Sequence, residues 1–420
     1  MNSINKIKDL SINNIIFFFI IYLSLIIGFL YNENLNFGSY HDWTNSNQKI
    51  INDFSNNFLH TFLNYDNYGN RHSPVYLIFL SLFLDLGFEI DQIRMIHLHL
   101  SILLVVVFYM CLKLKFQNIN DNYLIALSLI LFLSPTFRSL SIWPDSRLPG
   151  LTFFVLATYF FLKFKKTNHF KYTWYTCATL IISSYISPNF SVFFPYFFFL
   201  FLKKFKLIKL NLLMIFNFLA SLPIFYYIFI LDVNFMTGGT PGFNNSEGIS
   251  MSFNFSNKIM IISSIIFFHL SPVLIISNFH KSFSSFLINR SIILILFTLC
   301  LIYFFNYQIA YTGGGIFFII SNLLFDNNYL FFVAAFFFIG FFVYIASLNW
   351  NNFFILSLLV ISNIQNTIYH KYYEPMIIIL FFTLLKQVEA ENFFKKKNLI
   401  YLYSLSLIFI LMKIVKFYLI

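Results

Sequence analysis

The chain has 420 residues, 59% of them hydrophobic and only 10% charged, whereas soluble globular domains carry about a quarter charged residues. That excess of apolar side chains excludes a water-soluble fold. The formal charge of +11 does not point to nucleic acid, because the lysines gather in short segments between apolar runs, as the cytoplasmic loops of membrane proteins do.

Phe occurs 63 times beside abundant Ile, Asn, Lys and Tyr. AT-rich coding favours this set, so the Phe excess is read as mutational bias before it is read as an aromatic lining. Cys111, Cys177 and Cys300 lie far apart in or beside apolar runs, which offers no disulfide framework and no CxxC metal site.

A spanning helix needs about 20 apolar residues. Lys6 and Lys8 precede the first such run, 12–31, which is too long for a signal-peptide core and is retained as a helix with the N-terminus inside. Residues 94–115 form the next run. The basic clusters at 113–115, 163–171, 203–209, 281–290 and 386–397 all become cytoplasmic if crossings occur in pairs between them. Runs at 122–141 and 148–163, 172–187 and 190–202, 210–231 and 258–278, and 291–309 and 329–346 supply those pairs. Runs at 352–369, 374–388 and 398–418 complete an all-α, polytopic transmembrane bundle of about thirteen spans. The segment 74–88 is apolar, but a full crossing there would put Lys113 and Lys115 outside; it is assigned to the outer surface or to a re-entrant hairpin. A long first extracytoplasmic loop, 32–93, results, and the chain forms a single membrane domain, 1–420.

Polar residues collect on the outer side. The first loop carries Tyr40-His41-Asp42-Trp43 and then Arg71-His72-Ser73-Pro74, and the second external turn runs from Arg138 through Trp143-Pro144-Asp145 to Arg147. Guanidinium donors match phosphate oxygens and Trp offers a face to a sugar ring, although Trp43 or Trp143 could equally be an interfacial anchor. Arg138 sits just inside a helix end on the outer side and requires a partner, either Asp145 or a ligand phosphate. His97 and His99, two residues apart on a helix, point to different faces and read as packing residues. The glycine runs at 238–239 and 313–315 lack the strand and helix context of a nucleotide loop and read as flexible external turns.

These stretches resemble the GT-C superfamily of membrane glycosyltransferases, in particular its protein-mannosyltransferase and aminoarabinose-transferase branch. His41-Asp42 stands where that family has an acidic element after its first helix. Arg71-His72-Ser73-Pro74 matches its basic-x-Pro element before an Arg-led second helix, here opened by Arg94. Ser134-Pro135 leading to Trp143-Pro144-Asp145 matches its Ser-Pro helix end and acidic external turn. The resemblance covers a catalytic module, 1–205; the helices of 206–420 are similar only in hydropathy. The family has an acidic pair where this chain has His-Asp, and Lys-Pro-Pro or Glu-Lys-Pro where it has Arg-His-Ser-Pro.

The resemblance implies sugar transfer from a polyprenyl-phosphate donor to a lipid-linked or envelope-glycan acceptor, with inversion, at the outer surface of what composition suggests is a bacterial inner membrane. It makes Asp42 the base, positioned by His41, and Asp145 a second carboxylate. Both acids become candidate ligands of a divalent cation, Mg or Mn. Arg71, His72, Arg138, Arg147 and Lys371 become candidate ligands of the donor phosphate. An O-antigen polymerase or ligase places its main catalytic loop late in the chain, while here the longest loop comes first. A transporter or flippase predicts inverted repeats and midplane ionisable residues, neither of which is evident.

Overall fold

Lipid cannot satisfy backbone N–H and C=O groups, so a chain this apolar must close its hydrogen bonds within helices. The computed structural model describes residues 12–35, 37–70, 72–234, 253–276, 279–308, 313–363, 365–386 and 393–419, and it is all-helical. Among the described residues the only strand-type pairing is an isolated bridge between Gly313 and Ile368. Lys6, Lys8, Arg71, residues 237–248, Tyr311 and Thr312 lie outside the described residues.

Among the described residues, five helices are long and apolar enough to cross a membrane: Ile90–Lys115, Arg147–Thr167, Leu207–Ile230, Tyr329–Leu348 and Lys396–Val415. Two bent helix pairs raise the count to seven if each is one span. The helix Leu207–Phe225 shows what surrounds the protein. Ile208, Leu212, Ile215, Leu219 and Leu222 recur at helical spacing and are all exposed, the reverse of a soluble helix, whose apolar stripe faces the core.

The run 122–141, expected as one straight crossing, is instead broken. Asp121–Leu133 and Pro135–Ile142 meet at 68°. Proline lacks the N–H that would continue the ladder and drives the preceding residue to extended backbone, and Ser134 adopts φ −74°, ψ 120°. The Ser134 hydroxyl then accepts from Phe137 N and starts the next helix with proline at its first position. Ser73-Pro74 uses the same device to start the helix Pro74–Asp85.

The first loop is not loose chain. It folds as Phe37–Asp42, a wide turn Trp43–Asn47, Gln48–Asn56, Phe58–Leu63 and Pro74–Asp85. A further helix, Gly315–Phe325, falls where an external turn and connector were expected. At 11 residues it is well short of the roughly 20 used to mark a crossing.

The charges sort to the two ends of the helix Arg147–Thr167. At its far end Lys165 interacts electrostatically with Lys115 and Lys386, and Lys115 Nζ donates to Leu385 O at 2.8 Å. Three of the basic clusters therefore share one end of the bundle. The helix that separates that end from Arg147 is 21 residues long, roughly 30 Å.

Candidate active site

At the Arg147 end, three distant segments converge. The short helix Phe37–Asp42 delivers Asp42, the chain entering Pro74–Asp85 delivers His72, and the turn before Arg147–Thr167 delivers Asp145, Ser146 and Arg147. The 3-10 turn His370–Tyr372 adds Lys371 and Tyr372 from the C-terminal half.

Lys371 Nζ donates to Asp42 Oδ2 at 3.0 Å and lies 4.0 Å from Asp145 Oδ2. His72 stands between the acids, with Nε2 3.6 Å from Asp42 Oδ2 and Nδ1 3.8 Å from Asp145 Oδ1. Its Nδ1 is also 3.0 Å from Ser146 Oγ. Asp145 accepts from the backbone N–H of Arg147 at 2.9 Å and faces the Arg147 guanidinium at 3.5 Å. That guanidinium lies 4.1 Å from the Tyr372 ring centre and donates to its hydroxyl at 3.0 Å.

The surroundings hold these groups in place. Asn70 Oδ1 accepts from His72 N, Asn70 Nδ2 donates to Asn47 at 2.7 Å, and the Tyr65 hydroxyl donates to His72 O. On the other side Gly314 N donates to Ile368 O at 3.0 Å, and Ile368 N donates to the Tyr307 hydroxyl. The run 313–315, read as a flexible turn, thus braces the strand-like chain that leads to Lys371. Gly313, Gly314 and Gly315 all have positive φ, a conformation that glycine alone adopts without strain.

Two acids face two fixed cations. Burial pushes the Asp42 carboxyl up, but Lys371, His72 and Arg147 together outweigh it and hold it well below the usual carboxylate range. Asp145 is also lowered: burial and Asp42 raise it, and Arg147, His72 and Lys371 prevail. Both acids are therefore ionised at neutral pH. They differ in access, because the Asp145 side chain is 0% exposed and that of Asp42 31%. Asp42 is the group a substrate can reach.

Of the expected site residues, Asp42, His72, Asp145, Arg147 and Lys371 come together. His41 is exposed, with its ring Nδ1 2.9 Å from Asn45 Nδ2, and the imidazole placed against Asp42 Oδ2 is that of His72. Arg138 is committed elsewhere. It donates to both Glu33 oxygens at 2.7 and 2.5 Å, and also to Ser24 Oγ and Ser24 O. Its partner is Glu33, not Asp145, and Gly28 makes room, since a Cβ there would lie 2.5 Å from Glu33 Oε2. Trp43 and Trp143 are both buried; the Arg94 guanidinium lies over the Trp143 ring at 3.9 Å, and the Trp143 indole N–H donates to Glu33 O. His97 is buried and His99 exposed, on different faces as their spacing implies.

Asp42, His72 and Asp145 offer ligand atoms within 4.8 Å of one another, a set of the right kind for a divalent cation. Charge and space disagree. The Lys371 ammonium already sits against both carboxylates, and with Arg147 it balances their two charges.

Glu33, Tyr372 and the bracing pair Asn47 and Asn70 were not anticipated. Only Glu33 left a signal, an acid just after the first helix where a catalytic acid was sought. No known protein family, curated protein or solved structure matches the chain. The fold and the cluster define an all-helical protein with several candidate membrane spans and a buried ionic site at one end.

Proposed function

We propose that the chain is a membrane glycosyltransferase of the GT-C kind, with about thirteen crossings counting its shorter apolar helices and the N-terminus in the cytoplasm of a bacterial cell. It transfers a sugar from a polyprenyl-phosphate donor to a lipid-linked or envelope-glycan acceptor at the outer surface. The observation that supports this reading is the meeting of Asp42, His72, Asp145, Arg147 and Lys371 at the end of the Arg147–Thr167 helix opposite the lysine clusters, with only Asp42 substantially open.

Transfer requires a base for the acceptor hydroxyl and cations for the leaving phosphate. The acceptor oxygen attacks the anomeric carbon as Asp42 takes its proton; the bond from that carbon to the phosphate oxygen breaks, and the polyprenyl phosphate leaves with the electron pair. Attack opposite the phosphate inverts the anomeric centre. Arg147 and Lys371 receive the phosphate charge. Drawing them toward the phosphate loosens their hold on Asp42, so the base strengthens when the donor arrives. Asp145, fully buried, holds Arg147 and His72 in place. With the cation seat taken by Lys371, this scheme assigns the phosphate charge to the two side chains rather than to Mg or Mn.

Lys371→Met removes the cation nearest Asp42, so the Asp42 pKa rises. The acid limb of kcat/KM, set by protonation of Asp42, moves to higher pH; a limb at the wild-type position would remove Lys371 from contact with the base. The reading as a whole is tested by offering purified protein in lipid nanodiscs a panel of polyprenyl-phosphate sugars and hydroxyl acceptors. Release of polyprenyl phosphate with a glycosylated product supports it, and turnover with nucleotide sugars alone contradicts it.

A further inference from the structure

A second cluster of metal-ligating side chains lies on the other side of the turn that carries Lys371. His269, from the helix Phe255–Ile276, meets His370 from the turn His370–Tyr372, their Nε2 atoms 2.5 Å apart. Glu374, the first residue of the helix Glu374–Thr383, completes the group, and one ligand atom from each residue lies within 4.8 Å of the others.

Three observations indicate a ligand here. At 2.5 Å the facing imidazole nitrogens leave room for a single proton, so at least one lone pair points at the other ring. Glu374 is 2% exposed, and among the described residues no cation lies within ion-pair distance of it. Lys413 acts on Glu374 through its field. A buried carboxylate without a counter-charge is costly. The carboxylate is nevertheless oriented, since the Ser134 hydroxyl donates to Oε1 at 2.7 Å and the Thr136 hydroxyl donates to Oε2. Both donors come from the bend at Ser134-Pro135, so the break in that helix also equips this cluster. A cavity lined by His269, Glu374, Leu133, Phe268, Leu402 and Phe409 opens beside two of the three side chains, His269 and Glu374.

The geometry points to a divalent metal site of zinc type, with His269, His370 and Glu374 as ligands and the fourth position facing the cavity. Two imidazoles and one carboxylate are a zinc donor set, and Zn–N bonds of about 2.0–2.1 Å in tetrahedral geometry require the rings to part by somewhat under ~1 Å. Ser134 and Thr136 act behind the carboxylate ligand, as outer partners do at metal sites. The ion neutralises Glu374 and clamps the turn 370–374 to the helix Phe255–Ile276. Lys371 lies between two of the ligands in sequence, so the clamp also fixes the ammonium that meets Asp42. The metal site stands without the glycosyltransferase reading; only the consequence for Lys371 rests on it.

Protein purified in detergent without a polyhistidine tag, stripped with chelator and titrated with Co2+, is expected to take up one equivalent with the visible absorption of a tetrahedral ion. His269→Gln and His370→Gln lose the band, and Thr136→Ala weakens binding by about 10- to 100-fold while remaining folded. Asp42→Asn and Asp145→Asn keep the band, which separates this site from the ionic cluster. Absence of stoichiometric uptake by the wild type, a band that survives His269→Gln, or a band lost in Asp42→Asn overturns the assignment.

Discussion

Asp42→Asn is expected to lower sugar transfer by about 10²- to 10⁴-fold, the range a positioned general base contributes, with the protein still folded and inserted. The amide is isosteric and its oxygen still accepts from Lys371, which lies 3.0 Å from Oδ2, so the cluster keeps its shape and loses its base. Single-turnover transfer with a donor the wild type accepts, read beside the unfolding midpoint in detergent, separates the two effects. Transfer at the wild-type rate would remove Asp42 from the mechanism. Loss of folding would make the residue structural.

Breaking the ion pair between Glu33 and Arg138 is expected to cost about 3–5 kcal/mol, as removal of one partner of a buried pair does. The pair is bidentate and its side chains are 11% and 6% exposed. Arg138→Met leaves the Glu33 carboxylate among Gly28, Ser24 and Trp143; Glu33→Gln leaves the buried Arg138 guanidinium without the counter-charge it pairs with. The double variant Glu33→Leu/Arg138→Met should recover much of the loss, because it desolvates no charge. Thermal unfolding of the three variants in one detergent tests this. An Arg138→Met protein of wild-type stability whose KM for donor rises sharply would instead return Arg138 to the phosphate site, where its sequence position had suggested it.

The helical architecture was legible because lipid imposes one rule on every apolar run, and the lysine clusters marked one end of the bundle. The helix Gly315–Phe325 escaped because its 11 residues fall well short of the roughly 20 used to mark a crossing. The 68° bend was written in Ser134-Pro135, yet hydropathy averages over a break that keeps its apolar composition. The acids Asp42 and Asp145 were found from their order along the chain, and Lys371 from its place in a polar turn. What order could not supply was pairing. His72 is 30 positions from Asp42 and 73 from Asp145, and nothing in one sequence distinguishes it from His41 as the imidazole of the site. In the same way Glu33 was hidden as the partner of Arg138, and His269, His370 and Glu374 were three unrelated polar residues until the fold brought them together.

The account depends on the ionic cluster facing away from the cytosol, and thiol labelling in intact cells tests that most directly. Exposed Cys300 is replaced by Ser, the buried Cys111 and Cys177 are left in place, and single cysteines are introduced at exposed Asn45, near Asp42, and at exposed Asn168, past the far end of the Arg147–Thr167 helix. Asn45→Cys is expected to react with a membrane-impermeant maleimide on whole cells, and Asn168→Cys only after permeabilisation. Labelling of Asn168→Cys on intact cells with Asn45→Cys protected would put Asp42 in the cytosol and contradict the account.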